Sequence, residues 1–500
     1  MKSLVDVESF GGTDADNDDL LLKAFEDHEA YLDVLNLKRH LIVGRKGSGK
    51  TAIFKKLITT HEPDFFAYGH TFSDYPWHHH DRQARAGIPD FDKYTQSWKF
   101  LILMSLAKIA LNQDQSIPFS DASLDAIVPL EAFVVDTYGS RDPDLSQIFS
   151  PIKNLRLKPH LELDFTILKA GITPESVPIP ELPFIVQEVN QAFASIVMAA
   201  LNPANRYFIA FDQLDLGFDP STPDYANRLI GLLLASRDLN LLARDKGLSA
   251  FTVVFLRDDI YDSLHFEDKN KMTENYLSLI EWDTTRTRKT LRALMEKRFN
   301  IVLGSVSGES PTWEQVFNEE RKMPGHQSKY EHMLDRTFLR PRDMIKFVNS
   351  TLVQFKTRII NKGDQDNSSL SKIDNTDVHN ARSEFSEYFL RELDDEVHKH
   401  VPNYERFLDV LRVLGKWQFD KTEFEAAYIA QMSDANIAVQ NAVEILYDFS
   451  IIGFYRAGGR GFGGSEYIFK YREARVRFDP TADRFRIHPG LIETLGLKRS

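Results

Sequence analysis

Apolar positions along this chain change their period from place to place, and the changes mark out elements. The apolar run at 41–43 and the apolar-rich stretches at 65–72, 206–212 and 251–256 predict strands, with 277–282 as a fifth. Between them the spacing turns helical: from Ala52 until Pro63 breaks it, over 94–111, over 184–201 and over 224–244. Strands alternating with helices in this way predict an α/β domain with a parallel sheet. A further amphipathic helix is expected over 20–35, with Phe25, Leu32 and Leu35 turned inward. The alternation fails between about 112 and 183, which reads as an insertion. Inside it, 155–158 and 161–165 alternate with period two, as a β-hairpin would. Beyond the fifth strand, 284–299 predicts a basic amphipathic helix and 344–353 an apolar one. A polar stretch at 367–377 reads as a linker. Helices are then expected over 378–393, 404–414 and 442–449, and strands at 451–454, 467–471 and 485–489 flank a glycine-rich tip at 458–464. Helices followed by a glycine-tipped hairpin predict a winged helix. The expected domains are therefore 1–283, the sheet domain with its insertion; 284–365, a helical lid; and 378–500, the winged helix.

Length and composition narrow the chemistry. Five hundred residues are enough for two or three hydrophobic cores. Apolar and charged fractions of 42% and 27% are those of an ordinary globular protein. There is no cysteine, which excludes disulfides, thiolate nucleophiles and cysteine-ligated zinc together. No window reaches the roughly 18 apolar residues of a spanning helix, and the first residues do not read as a signal peptide, so a cytoplasmic protein without a membrane partner is expected. A net charge of −12 argues against a surface coated for nucleic acid. Ten acids face Lys2 and Lys23 in residues 1–36, whereas ten bases face five acids from Ile451 onward. Both ends read as solvated faces.

The candidate chemistry centres on Gly44-Arg45-Lys46-Gly47-Ser48-Gly49-Lys50-Thr51, which fits G-x-x-x-x-G-K-[ST] at every fixed position, between a strand and a helix. Gly44, Gly47, Ser48 and Gly49 would let backbone amides close around a phosphate. Lys50 would add a point charge on the β and γ oxygens, and Thr51 would hold a magnesium ion. An apolar strand ending in Asp212 supplies the carboxylate such an ion requires, although a strand ending in a polar turn would look the same. Gln213 stands where hydrolytic relatives of such loops place an acid. Either Asp215 orients the attacking water, or hydrolysis is slow and the protein is a nucleotide-gated switch. Arg257 ends the strand at 251–256 and is a candidate γ-phosphate sensor, with a salt bridge to its neighbouring acids as the alternative. In Leu339-Arg340-Pro341-Arg342-Asp343, Arg342 is the expected phosphate reader from the lid and Arg340 the reserve, with plain helix capping as the alternative. Phe10, Gly11 and Gly12 are placed to flank an adenine. His78, His79 and His80 are adjacent, but consecutive side chains do not converge on one metal ion.

Taken in order, GRKGSGKT, FIAFDQLD, VVFLRDD and LRPRD resemble the bacterial P-loop ATPases allied to the KAP and STAND branches of the AAA+ group, over about residues 8–500. That resemblance implies a P-loop NTPase core with a helical lid and a C-terminal winged helix. It implies ATP and Mg2+ as ligands, with Lys50 and Thr51 on phosphate and metal, Asp212 on metal, Arg257 sensing and Arg342 in the lid. It also implies a component of antiphage defence, assembling as a homo-oligomer or licensing a separate effector such as a nuclease. Two rival expectations stand beside it: a DNA-binding AAA+ motor or loader that uses Arg460, Arg472 and Arg475 of the winged helix, and a scaffold that holds ATP without turnover.

Overall fold

The computed structural model describes residues 2–72, 90–149, 182–215, 223–304, 310–362, 372–432, 437–458, 464–474 and 476–498. The chain forms two units, one of Asp27–Arg45 and Lys50–Ile280, the other of Met1–Glu26, Lys46–Gly49 and Glu281–Ser500.

The first unit runs α1 (Glu29–Leu35), β1 (Leu41–Gly44), α2 (Lys50–Ile58), β2 (Phe65–Thr71), α3 (Asp90–Asn112), α4 (Asp121–Tyr138), α5 (Leu145–Phe149), α6 (Leu182–Ala200), β3 (Arg206–Asp212), α7 (Pro223–Asp245), β4 (Ser249–Arg257), α8 (Asp258–Ser263), α9 (Lys269–Tyr276) and β5 (Leu277–Leu279). Its five strands are parallel in the order β2-β3-β4-β1-β5. A parallel sheet is covered on both faces, so its central strands β1, β3 and β4 are buried nearly end to end rather than alternating, while the edge strand β2 is mostly half-buried. Leu41, Val43, Tyr207, Ile209, Phe211, Val254 and Leu256 join one core with Trp98, Leu101 and Met104 of α3 and Leu232 and Leu233 of α7. On the opposite face Phe54 of α2 meets Phe255 edge-on, ring centroids 6.1 Å apart. Register aligns Gly44 with Arg257, so the chain leaves β1 and β4 at one edge of the sheet.

The helix expected over 20–35 is only α1. The His28 Nδ1 atom accepts the Ala30 N–H at 3.1 Å and starts it there, and Asp18 accepts the Leu20 N–H at 3.2 Å, holding the preceding leucines in turns. Ala30, Tyr31 and Val34 face inward, while Leu32 is 42% exposed, contrary to the expectation. Of the insertion, α4 and α5 are described; the hairpin expected at 155–165 lies outside the described residues, as do His78, His79 and His80.

The second unit is helical, with a small antiparallel sheet. It runs α10 (Leu291–Leu303), α11 (Trp313–Val316), α12 (Lys329–Leu334), α13 (Pro341–Lys362), α14 (Asn375–Val397), α15 (Glu405–Leu414), β6 (Gln418–Asp420), α16 (Lys421–Gln431), α17 (Val439–Asp448), β7 (Ile452–Arg456), β8 (Glu466–Ile468) and β9 (Arg484–Ile487). The sheet order is β6-β9-β7-β8. The basic helix expected from 284 begins only at Leu291, because the Asp283 carboxylate accepts the Leu291 N–H at 2.7 Å and Thr290 caps the Ala293 N–H. α13 starts on Pro341, whose missing N–H and fixed φ suit a first helical turn. Phe347 stacks on Phe385 at 4.2 Å to join α13 to α14. The N-terminal segment is tied in by a buried ion pair, Arg298 Nη2 to Asp18 Oδ2 at 2.6 Å. Phe10 is fully buried against Phe299, so its ring fills core rather than standing beside a ligand. Arg460, Arg475 and the tip at 459–463 lie outside the described residues. Among the described residues, no helix is long and apolar enough to cross a membrane.

Candidate functional site

Within the sheet unit, the site is built at the carboxyl ends of β1, β3 and β4. Lys50 opens α2, and its Nζ donates to the carbonyls of Gly44 and Arg45 at 2.7 and 2.9 Å. The ammonium thus turns back over the end of its own strand. Burial pulls its pKa below the usual lysine value, and the Asp258, Asp212 and Asp215 carboxylates pull the other way. Asp212, the last residue of β3, is 2% exposed. Its carboxylate accepts hydrogen bonds from the Gln213 backbone and the Thr51 hydroxyl, yet its Oδ2 has no hydrogen-bond partner. Burial pushes the pKa of Asp212 up, against the pull of those bonds and of Lys50. A buried carboxylate oxygen left unpartnered beside a hydroxyl and an ammonium is costly to keep, on the order of 1–3 kcal/mol, which makes it a place for a ligand.

Gln213 follows with φ 59°, a left-handed conformation uncommon for a residue with a side chain. That turn carries the chain to Asp215, whose Oδ2 lies 3.3 Å from Arg257 Nη1. Arg257 is buried and forks onto Asp259, Nε to Oδ1 at 3.0 Å and Nη2 to Oδ2 at 2.6 Å. The candidate sensor is therefore held by carboxylates, one of them the candidate water-orienting acid.

In the second unit lie residues 46–49 of the loop. Gly47 and Gly49 have φ of 78° and 111°, values a side chain resists. A Cβ on Gly47 would also stand 3.0 Å from Arg342 Cβ and 3.1 Å from its Cδ. Ser48 is buried with its Oγ unpartnered, and its carbonyl accepts the Trp282 indole N–H at 2.9 Å. Arg340 is 1% exposed; it donates from Nε to Asp343 Oδ2 at 2.8 Å and from Nη1 to the Lys46 carbonyl at 2.8 Å, and Nη1 also contacts Glu396. Burial opposes the charge of Arg340, but Asp343 and Glu396 more than offset it and raise its pKa. Arg342 donates from Nη1 to Glu392 Oε2 at 2.9 Å and from Nε to the Thr13 carbonyl at 2.9 Å. Lys46 Nζ sits 2.5 Å from Asp395 Oδ2 and 3.4 Å from Glu392 Oε2.

Of the residues singled out in the sequence, Lys50, Thr51 and Asp212 are brought together, and Arg257 is joined to Asp215. Arg340 is anchored on Asp343 of α13 and Glu396 of α14, and Arg342 on Glu392 of α14. Sequence reasoning missed Trp282, Glu392, Asp395 and Glu396; the acids carried no local signal beyond helical spacing at i, i+3 and i+4.

Residues 289–394 match the family described as the FunZ-associated C-terminal helical domain. The chain is also similar to the putative transposon gamma-delta 80.3 kDa protein of Escherichia coli (strain K12), at 24% identity over 360 residues. That similarity takes in 68% of this chain but only 46% of the relative, so the chain spans about half the length of the curated protein it matches.

Proposed function

We propose that the protein is a P-loop ATPase of AAA+/STAND type, which binds Mg-ATP in the loop 44–51 and passes the nucleotide state to partners. The observation that carries this reading is the Asp212 carboxylate: buried, hydrogen-bonded to Thr51, close enough to Lys50 to feel its charge, and with Oδ2 free to take a ligand. Oxygen donors of this kind suit a hard divalent cation, so Asp212 and Thr51 would hold Mg2+. When bound, the ion would neutralise charge on the phosphate oxygens. Lys50 would exchange the carbonyls of Gly44 and Arg45 for those oxygens, a move its present bonds leave open because both are to neutral acceptors. The turned backbone at Gly47 and Gly49 would direct amides at the phosphates.

Asp215 is the proposed water-orienting acid, with Arg257 holding it in place. Arg257 would report the γ-phosphate through this pair, and Arg342 would do so from the helical lid. The C-terminal helices and small sheet are read as a winged helix that packs within its unit: Arg472, one of its candidate DNA contacts, is paired with Asp335 at 2.7 Å. Assembly into a homo-oligomer, a separate effector such as a nuclease, and a role in antiviral defence complete the proposal.

Titration of the protein with Mg-ATP and a phosphate-release assay test it. Lys50→Ala is expected to abolish measurable affinity, Asp212→Asn to remove the magnesium dependence, and Asp215→Asn to stop release while leaving binding intact. Undiminished affinity in Lys50→Ala overturns the reading; binding without release in the wild type favours the scaffold.

A further inference from the structure

We propose that the acidic face of α14 is a latch on the glycine loop, one that a nucleotide polyphosphate must displace. The inference rests on the nucleotide-binding reading of that loop and assigns the regulation of the same site. Glu392, Asp395 and Glu396 follow one another at i, i+3 and i+4, so they share a helix face. Each meets a cation belonging to the loop or to the start of α13: Lys46 meets Asp395 and Glu392, Arg342 meets Glu392, and Arg340 meets Glu396.

The latch has a fixed part and an exchangeable part. Arg340 and Glu396 are buried, and Arg340 also holds the Lys46 carbonyl, so this contact fixes the loop backbone. Lys46, Arg342 and Glu392 keep 17–23% of their side-chain surface in water, and Asp395 keeps 63%. These pairs keep some contact with water, which the fully buried Arg340–Glu396 pair lacks, so they are the ones an anionic ligand can replace. Glu392 serves two cations at once, and the stem of Arg342 lies against Gly47. The carboxylates therefore stand in for the oxygens of a polyphosphate. An incoming triphosphate offers the same cations more charge and more acceptors, and arginine can pair with it in a forked manner that its single bond to Glu392 lacks. A triphosphate that draws on the charge of Arg342 and Lys46 competes with Glu392, the acid both now face. Nucleotide binding would thus detach Glu392 and Asp395 of α14 from Lys46 and Arg342 while the Arg340 contact stays, which gives the two nucleotide states different contacts.

The test is calorimetric titration of the full chain with Mg2+ and a non-hydrolysable ATP analogue. Glu392→Gln removes the acid that Lys46 and Arg342 share and is expected to bind about three- to tenfold more tightly than wild type; Asp395→Asn removes only the exposed partner of Lys46, leaves Glu392 in place and gains less. Glu392→Asp keeps the charge and should stay close to wild type. Raising salt should narrow the gap between Glu392→Gln and wild type, since screening weakens the latch it lacks. Hydrogen exchange of α14 should rise when wild type binds the analogue and should already be high in Glu392→Gln. Equal or weaker binding by Glu392→Gln and Asp395→Asn, with wild-type melting temperatures, overturns the latch alone. Failure of the wild type to bind the analogue overturns the nucleotide reading and the latch with it.

Discussion

Replacing Arg340 by methionine separates a phosphate-reading arginine from a structural one. The side chain is 1% exposed and spends its donors on Asp343, the Lys46 carbonyl and Glu396. Methionine keeps the volume of the stem but leaves two carboxylates and a carbonyl short of a partner, at 0% and 7% exposure for the acids. Asp343 retains only the Phe338 N–H at 3.0 Å among its described partners. Breaking a buried pair this way costs about 3–5 kcal/mol, since the carboxylates left behind are removed from water and lose the cation that offset their burial. In a unit of about 250 residues that corresponds to a melting temperature lower by about 6–20 °C. Burial already pushes Asp343 up against the pull of Arg340; with the arginine gone it rises further. A carboxyl whose folded pKa is raised costs nothing below its unfolded pKa, and its cost grows as pH climbs through the folded value, so the deficit should be smaller at pH 5 than at pH 8. Differential scanning calorimetry of both proteins at the two pH values measures all of this. A melting temperature within about 2 °C of wild type, coupled with lost Mg-ATP affinity, would refute the clamp and return Arg340 to the phosphates.

Gly47→Ala combines a strained φ with a Cβ 3.0 Å from Arg342, whereas Gly49→Ala has strain alone and open space, so the first should lose more nucleotide affinity in the same titration. Asp18→Ala removes the buried partner of Arg298 and the acceptor for Gly12 and Leu20 N–H; we expect a loss of about 3–5 kcal/mol in the second unit and early proteolytic cleavage within residues 1–26. His40 and His70 are buried neutral, each pulled down to about 3 by desolvation. A histidine with a depressed folded pKa contributes stability above its unfolded value and loses it as pH falls through the folded one. Stability of the sheet unit should therefore drop by up to about 1.4 kcal/mol per pH unit for each ring below about pH 6.5, and both rings should stay neutral by NMR at pH 5.

The sheet was legible because strands buried on both faces are apolar on successive residues rather than on alternate ones, and Tyr207–Phe211 and Val253–Leu256 have that form within the strands Arg206–Asp212 and Ser249–Arg257. The failures have local causes. Leucines at 20–22 carry helical spacing, but the Asp18 carboxylate bonds the backbone there and keeps it in turns. β6 is three residues long, too short for any periodicity to register, and α16 follows it directly. The threonines and arginines of 284–290 read as a helix whose true start is set by Asp283 and Thr290, a capping pair visible only once the turn is formed.

The candidate site divides along the same line. Lys50 and Thr51 belong to a contiguous pattern, and the spacing of apolar strands pointed to Asp212 as the acid that meets Thr51. The arginines of the LRPRD segment were legible as cations near a helix start but not as to what they hold. Lys46 and Asp395 are 349 residues apart in the chain, and an acidic helix face facing a lysine is written in the same residues as one facing water. What distinguishes the two is burial: Glu396 and Asp343 are charged groups removed from solvent, and such groups persist only where a partner is guaranteed. The buried acids therefore mark where α13, α14 and the loop are locked as one piece. The acids beside them that keep contact with water, Glu392 in part and Asp395 largely, mark where the same piece is free to let go.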